Sequence, residues 1–192
     1  SKKICVIGLG YIGLPTAALL AHRGYDVHGV DVEQSTVNII NRGEIHIVEP
    51  ELDIFVKAAV NSGKLKAGLN PCEADVFIIA VPTPFHEGFV PNIDYVLSAT
   101  KAIAPFVKEN NVVILESTSP VGTTDKIEEA LVAEGIDTSK LFIAHCPERV
   151  LPGQIMKELV GNDRIVGGTT PRATVQAVEF YKTFISGEVL ST

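Results

Sequence analysis

Residues 3–31 read KICVIGLGYIGLPTAALLAHRGYDVHGVD, and no other stretch restricts the fold as tightly. An apolar, strand-like run leads into Gly8-x-Gly10-x-x-Gly13. A helical pattern follows, and a second apolar run ends in Asp31. Each glycine answers a separate steric need. Gly8 permits the tight turn out of the strand, Gly10 has no side chain to keep the backbone from a pyrophosphate, and Gly13 lets the helix lie close to the sheet. The helix start offers free N–H groups and the positive end of its dipole to phosphates. Asp31 lies 18 residues after Gly13, where a carboxylate accepts hydrogen bonds from both ribose hydroxyls. The same charge repels a 2′-phosphate, and Val32, Glu33 and Gln34 supply no basic residue. The pattern therefore predicts NAD rather than NADP. The competing reading is a parallel sheet with a glycine turn and no ligand, and the presence of both strands, the helix and the acid weighs against it.

The alternation continues along the chain. Strands are expected at 3–8, 26–31, 75–81, 112–116, 140–145, 164–167 and, marginally, 187–191, with an optional extra strand at 65–67. Helices are expected at 12–23, 34–41, 51–61, 93–108, 121–134 and 171–184. Gly24 closes the first helix and Pro171 opens the last, where its missing N–H costs little. The expected fold class is α/β: a Rossmann-like, doubly wound, mostly parallel sheet with helices on both faces. At 192 residues, positions 1–192 make one domain. The segments 42–50 (RGEIHIVEP) and 82–92 (PTPFHEGFVPN) read as irregular and fall where ligands sit in such folds.

A net charge of −7 argues against a nucleic-acid surface. The longest apolar runs are strand-sized or broken by glycine, so no membrane span is expected. The start SKKICVIG enters a strand with no signal-peptide pattern. Cys5, Cys72 and Cys146 are too few and too far apart for a disulfide framework or a metal site, and a reducing cytoplasm is the expected compartment. His22, His28, His46 and His86 lack metal-ligand spacing and are expected on the surface or in loops, and no metal is predicted.

Three clusters follow predicted strands. In Val81-Pro82-Thr83-Pro84, Thr83 either points its hydroxyl at a cofactor or satisfies a rigid turn. In Glu116-Ser117-Thr118-Ser119-Pro120, Ser119 and Pro120 read as N-cap and first helical residue, and Thr118 contributes to a polar wall for nicotinamide or substrate, or simply caps a turn. In Cys146-Pro147-Glu148-Arg149-Val150-Leu151-Pro152-Gly153, Glu148 suits a general base or a water-ordering acid. Arg149 suits pairing with a phosphate or carboxylate. The alternative for both is an ion pair in a surface turn. Cys146 is expected to be a small, half-buried residue rather than a nucleophile, and Cys5 a core residue.

The order GLGYIGLPTA, Asp31, VPTP, STSPVGT and PERVLPG resembles the UDP-glucose/GDP-mannose dehydrogenase family over essentially the whole chain. NRGEIHIVEP together with HCPERVLPG is most similar to its UDP-N-acetyl-D-mannosamine dehydrogenases. The resemblance implies NAD-dependent oxidation of the C6 alcohol of a nucleotide sugar to a carboxylate, by two successive hydride transfers through an enzyme-bound thiohemiacetal and thioester. UDP-N-acetyl-D-mannosamine is the first substrate, with UDP-N-acetylglucosamine, GDP-mannose and UDP-glucose as alternatives. Gly8, Gly10, Tyr11, Ile12, Gly13, Asp31, Thr83 and Thr118 are the implied cofactor residues. Glu148 and Thr118 are the implied catalytic residues, and Arg149 and Val150 the implied substrate contacts. UDP-glucose enzymes commonly carry a second glutamate just before the motif's last glycine; here that position is Pro152, which speaks against plain glucose.

The resemblance covers only the amino-terminal, NAD-binding part of the family. The family's nucleophilic cysteine and catalytic lysine have no counterpart in these 192 residues, so the chain is expected to be a fragment that binds NAD weakly and turns over no sugar. The complete protein is expected to form a homodimer or larger homo-oligomer. The reading from another class is a stand-alone NAD-binding or sensing module.

Overall fold

From Ile4 onward the first strand, β1 (Lys3–Ile7), is buried, as a central parallel strand must be. The computed structural model describes residues 2–84 and 91–192. The segment 82–92 is therefore described only in part, and His86 lies outside the described residues. β1 pairs in parallel with β2 (Asp26–Val30) on one side and with β4 (Val76–Ile79) on the other. β3 (Leu65–Gly68) extends the sheet beyond β2. β5 (Val112–Leu115), β6 (Phe142–His145), β7 (Arg164–Gly168) and β8 (Val189–Ser191) extend it beyond β4. The order is β3-β2-β1-β4-β5-β6-β7-β8. The chain winds outward one way from β1 and then the other way from β4, so the switch point lies between them, where ligands of such sheets bind. β7 runs antiparallel to β6, and the sheet is otherwise parallel.

Successive residues of a strand face opposite ways, and the two cores follow from that. Ile4 and Val6 join the layer under α1 (Gly13–His22), α3 (Leu52–Asn61), α6 (Ile155–Gly161) and α7 (Pro171–Lys182). Cys5 and Ile7 join the layer under α4 (Asp94–Ile103) and α5 (Thr123–Ala133). α2 (Gln34–Asn41) packs at the β3 edge. Helices thus cover both faces, as the alternation predicts, and Cys5 is core. Thr170 caps α7 by accepting from the Ala173 N–H at 3.1 Å, with Pro171 at the first helical position. Among the described residues no helix is long and apolar enough to cross a membrane.

Three local expectations need correction. Ser119 and Pro120 do not start α5: the Ser119 hydroxyl donates to the Ser117 carbonyl, and Gly122, at φ 90°, precedes the first helical residue. The helix expected at 93–108 ends at Ile103 and tightens into a 3-10 turn at Ala104–Phe106, because Pro105 has no N–H to continue the ladder. α6 is absent from the sequence reading. It has only seven residues, and a side chain from a distant loop holds its start.

Candidate functional site

The turn from β1 into α1 is a backbone construction. Gly8 has φ 97°, and a Cβ there would stand 2.8 Å from the Ala80 carbonyl oxygen at the end of β4. A Cβ on Gly13 would fall 1.6 Å from the Gly8 carbonyl oxygen, so helix and turn touch through hydrogen alone. A Cβ on Gly10 would meet no protein atom within 4 Å. Gly8 and Gly13 serve packing, and Gly10 faces open space. The first turn of α1 adds N–H groups without intrahelical acceptors.

Asp31 follows β2 and reaches back to this turn. Its carboxylate accepts from the Leu9 N–H at 3.2 Å and from the Glu33 N–H at 3.0 Å. It is thereby fixed beside the glycine turn. The opposite wall comes from two strand ends tied together: the Thr83 hydroxyl donates to the Thr118 carbonyl at 2.6 Å, and the Ser117 hydroxyl to the Val81 carbonyl at 2.7 Å. Thr83 therefore does use its hydroxyl on the backbone while standing in the wall.

The result is a crevice of about 330 Å³ at the switch point, lined by Gly8, Gly10, Tyr11, Ile12, Asp31, Thr83, Thr118 and Glu148 among others. The structure brings together every predicted cofactor residue except Gly13, which lies behind Gly8. Arg149 and Val150 follow Glu148 but do not line this crevice. An apolar annex of about 360 Å³ shares Gly8, Asp31, Val81 and Pro82 with it and is walled by Val32, Leu69 and Tyr95. An open glycine, helix N–H groups, a fixed acid and an apolar slot beyond that acid fit the diphosphate, ribose and flat base of a dinucleotide.

Beneath the crevice the predicted Glu148 meets charge that sequence reasoning missed, Arg164 and Glu116. Glu148, 6% exposed, contacts the buried Arg164 of β7, with Oε2 2.5 Å from Nε but off the line of a hydrogen bond. Arg164 donates through Nη2 to the Leu159 carbonyl at 3.1 Å, and its guanidinium sits 5.2 Å from the centre of the Tyr181 ring. Glu116, also buried, accepts from the Tyr181 hydroxyl at 2.9 Å and the Thr16 hydroxyl at 3.4 Å. Burial pushes the Glu148 carboxyl up to about 7, with Arg164 opposing and Glu116 adding to the rise. Burial raises Glu116 as well, against the pull of Arg164 and the two hydroxyls. Cys146 is fully buried rather than half-buried, and burial pushes its thiol up to about 11, so it stays protonated and unreactive.

Glu49 is the other residue missed. It belongs to the irregular 42–50 segment, yet it is buried. Its carboxylate accepts from the Gly153 N–H and, at 3.4 Å, from the Ile155 N–H. The two segments singled out for sugar type are thus physically joined. The only sequence signal was an acid in a loop, which is normally solvated.

A family model described as "UDP-glucose/GDP-mannose dehydrogenase family, NAD binding domain" matches residues 2–185. The chain is 56% identical to a UDP-N-acetyl-D-mannosamine dehydrogenase of Campylobacter jejuni, over 100% of this chain and 49% of that protein. It is 49% identical to an NDP-N-acetyl-D-galactosaminuronic acid dehydrogenase of Ralstonia nicotianae, over 100% of this chain and 47% of that protein. Among solved structures, the native UDP-N-acetyl-mannosamine dehydrogenase Cap5O of Staphylococcus aureus superposes with a TM-score of 0.93 at 43% identity, over 99% of this chain and 47% of that one. The chain spans about half the length of the curated relatives it matches.

Proposed function

The chain belongs to the UDP-glucose/GDP-mannose dehydrogenase family, and we propose that it forms the NAD-binding half of an enzyme oxidising the C6 alcohol of UDP-N-acetyl-D-mannosamine to the carboxylate. The observation that carries this reading is that an unobstructed Gly10 and the Glu148 side of the wall line one and the same crevice. When bound, NAD supplies the hydride acceptor. The residues of this chain do the rest of what falls to this half. The Gly8–Gly13 turn and the start of α1 hold the diphosphate, and Asp31 holds the ribose hydroxyls and repels a 2′-phosphate. Thr83 and Thr118 fix the wall beside the reacting end. Glu148 takes a proton from a water whose oxygen adds to the carbonyl carbon of the enzyme-bound thioester. The tetrahedral adduct collapses by breaking the C–S bond, and the thiolate leaves with the carboxylic acid formed. Glu148 then gives up its proton to that thiolate or to solvent. A base titrating near neutrality is matched to this task. Arg149 and Val150 stand past the crevice floor and serve the sugar nucleotide.

The nucleophile and the cation for the developing oxyanion come from outside these 192 residues, so the chain alone binds NAD and forms no acid. Cytoplasmic location, a place in polysaccharide biosynthesis and self-association of the complete protein belong to the same proposal. A second N-acetylated sugar, of the galactosaminuronate type, is favoured over plain glucose by the 49% identity to the Ralstonia enzyme and by Pro152. The test is NADH release by the product of the complete open reading frame, given a panel of nucleotide sugars, with the acid identified by mass. Turnover greatest on UDP-N-acetyl-D-mannosamine is expected. No NADH with any sugar, or no heat on titrating folded chain with millimolar NAD, would overturn the proposal.

A further inference from the structure

Arg164 heads the fully buried side chains of the described residues, and the chemistry above assigns it nothing. A guanidinium is costly to bury unless its contacts fix it closely. Here three contacts fix it without help from the crevice. Nη2 donates to the Leu159 carbonyl in α6, Nη1 points at Cys146 Sγ at 3.9 Å, and Cζ sits over the Tyr181 ring of α7. The remaining edge, Nε, meets Glu148. Within the same buried set, Glu116 is held by Tyr181 and Thr16.

We infer that Arg164 is the positioning residue for Glu148: held by the fold, it pins that carboxylate to the crevice floor next to Glu116, whose backbone carbonyl accepts from the Glu148 N–H at 3.3 Å, and the proton taken from water is held at Glu148 rather than at Glu116. The inference rests on the reading of Glu148 as the group that takes a proton from water. The location of the proton follows from the hydrogen bonds. Both acids line the crevice, but the hydroxyls of Tyr181 and Thr16 donate to Glu116 and stabilise its charged form, whereas Glu148 Oε2 accepts no hydrogen bond among the described residues. The charged groups acting on Glu148 are Arg164 of β7, Glu116 at the end of β5 and Glu158 of α6. Cys146 and Tyr181 complete the surroundings, and burial keeps both protonated. Loss of the cation leaves Glu148 neutral and useless as a base. Loss of Glu116's charge leaves Arg164 wholly to Glu148.

The experiment uses the protein from the complete open reading frame with UDP-N-acetyl-D-mannosamine and NAD. The pH profile of acid formation is measured beside ¹³C-carboxyl titration of Glu148, whose signal is assigned by its loss in Glu148→Gln. In Arg164→Met the midpoint of both curves should move up by about one pH unit or more, and acid formation near neutral pH should fall about 100-fold, with NAD affinity unchanged. Arg164→Lys, which keeps the charge, should recover part of the shift. Glu116→Gln should move the midpoint down by about half a unit, and it decides the matter if Arg164→Met does not fold. A merely structural Arg164 would change amplitude and melting temperature but leave the midpoint in place. Unmoved midpoints in folded Arg164→Met and Glu116→Gln, or in Glu116→Gln alone where Arg164→Met does not fold, would overturn the inference while leaving Glu148 as base. Normal turnover by Glu148→Gln would remove the base reading, and the carboxyl titration would still judge Arg164.

Discussion

The two sides of the crevice are built from different materials. The β1–β2 side is backbone: three glycines, the first turn of a helix and one acid held by two N–H groups. The β5–β7 side is buried charge: Glu116, Glu148 and Arg164 with a tyrosine between them. A backbone site works by shape, and an added methyl either blocks the fold or blocks the ligand. A site of buried charge works by balance, and its behaviour changes with pH and with any neighbour's charge.

The largest expected effect tests the shape side. Gly13→Ala should cost about 3–5 kcal/mol or abolish folding, because its methyl overlaps the Gly8 carbonyl. Gly10→Ala should leave the melting temperature unchanged and weaken NAD binding by calorimetry, because the methyl meets no protein atom within 4 Å and enters the space proposed for the diphosphate. Equal stability loss in the two variants would erase the distinction between packing glycine and ligand glycine. Next is Glu49→Ala, which leaves the buried Ile155 amide and the part-buried Gly153 amide without their acceptor. It should cost about 2–3 kcal/mol in urea unfolding, with NAD affinity retained. Asp31→Ala should weaken NAD binding by roughly 1–3 kcal/mol and narrow the preference over NADP. An unchanged dissociation constant would take the ribose contact away from it.

The smallest effect probes the charge side. Burial holds the Glu148 carboxyl at about 7, above its ordinary value of 4.5, so the folded chain binds more protons than the unfolded chain between those values. Its contribution to stability is therefore fully present below about 4.5 and declines as pH rises toward 7. Comparing wild type with Glu148→Gln isolates it. The difference in melting temperature should drift against wild type as pH rises through that window, and a flat difference would show Glu148 already ionised when folded.

The same contrast explains how far the sequence could be read. The glycine spacing, Asp31 and the strand–helix alternation are local patterns, and the parallel sheet and the cofactor side followed from them. Ser119-Pro120 looked like a helix start, but the Ser119 hydroxyl turned to Ser117 and the helix began after Gly122. Arg164 sits in RIVGG, where nothing marks a charge that will be buried, and its partner Glu148 is 16 residues earlier across an antiparallel strand pair. Glu49 is more than 100 residues from the amides it binds.

By itself the sequence determined the β1–α1–β2 unit, the two-faced burial of the central strands and the glycine turn beside Asp31 proposed for a dinucleotide, because each depends on residues within a few turns of one another. Only the tertiary structure decided that Arg164 meets Glu148 in the interior, that Cys146 is sealed away as a thiol and that Glu49 fastens one loop to another. Those outcomes depend on which distant side chains share a space closed to water, and there the strength of a charge is set by its surroundings rather than by its place in the chain.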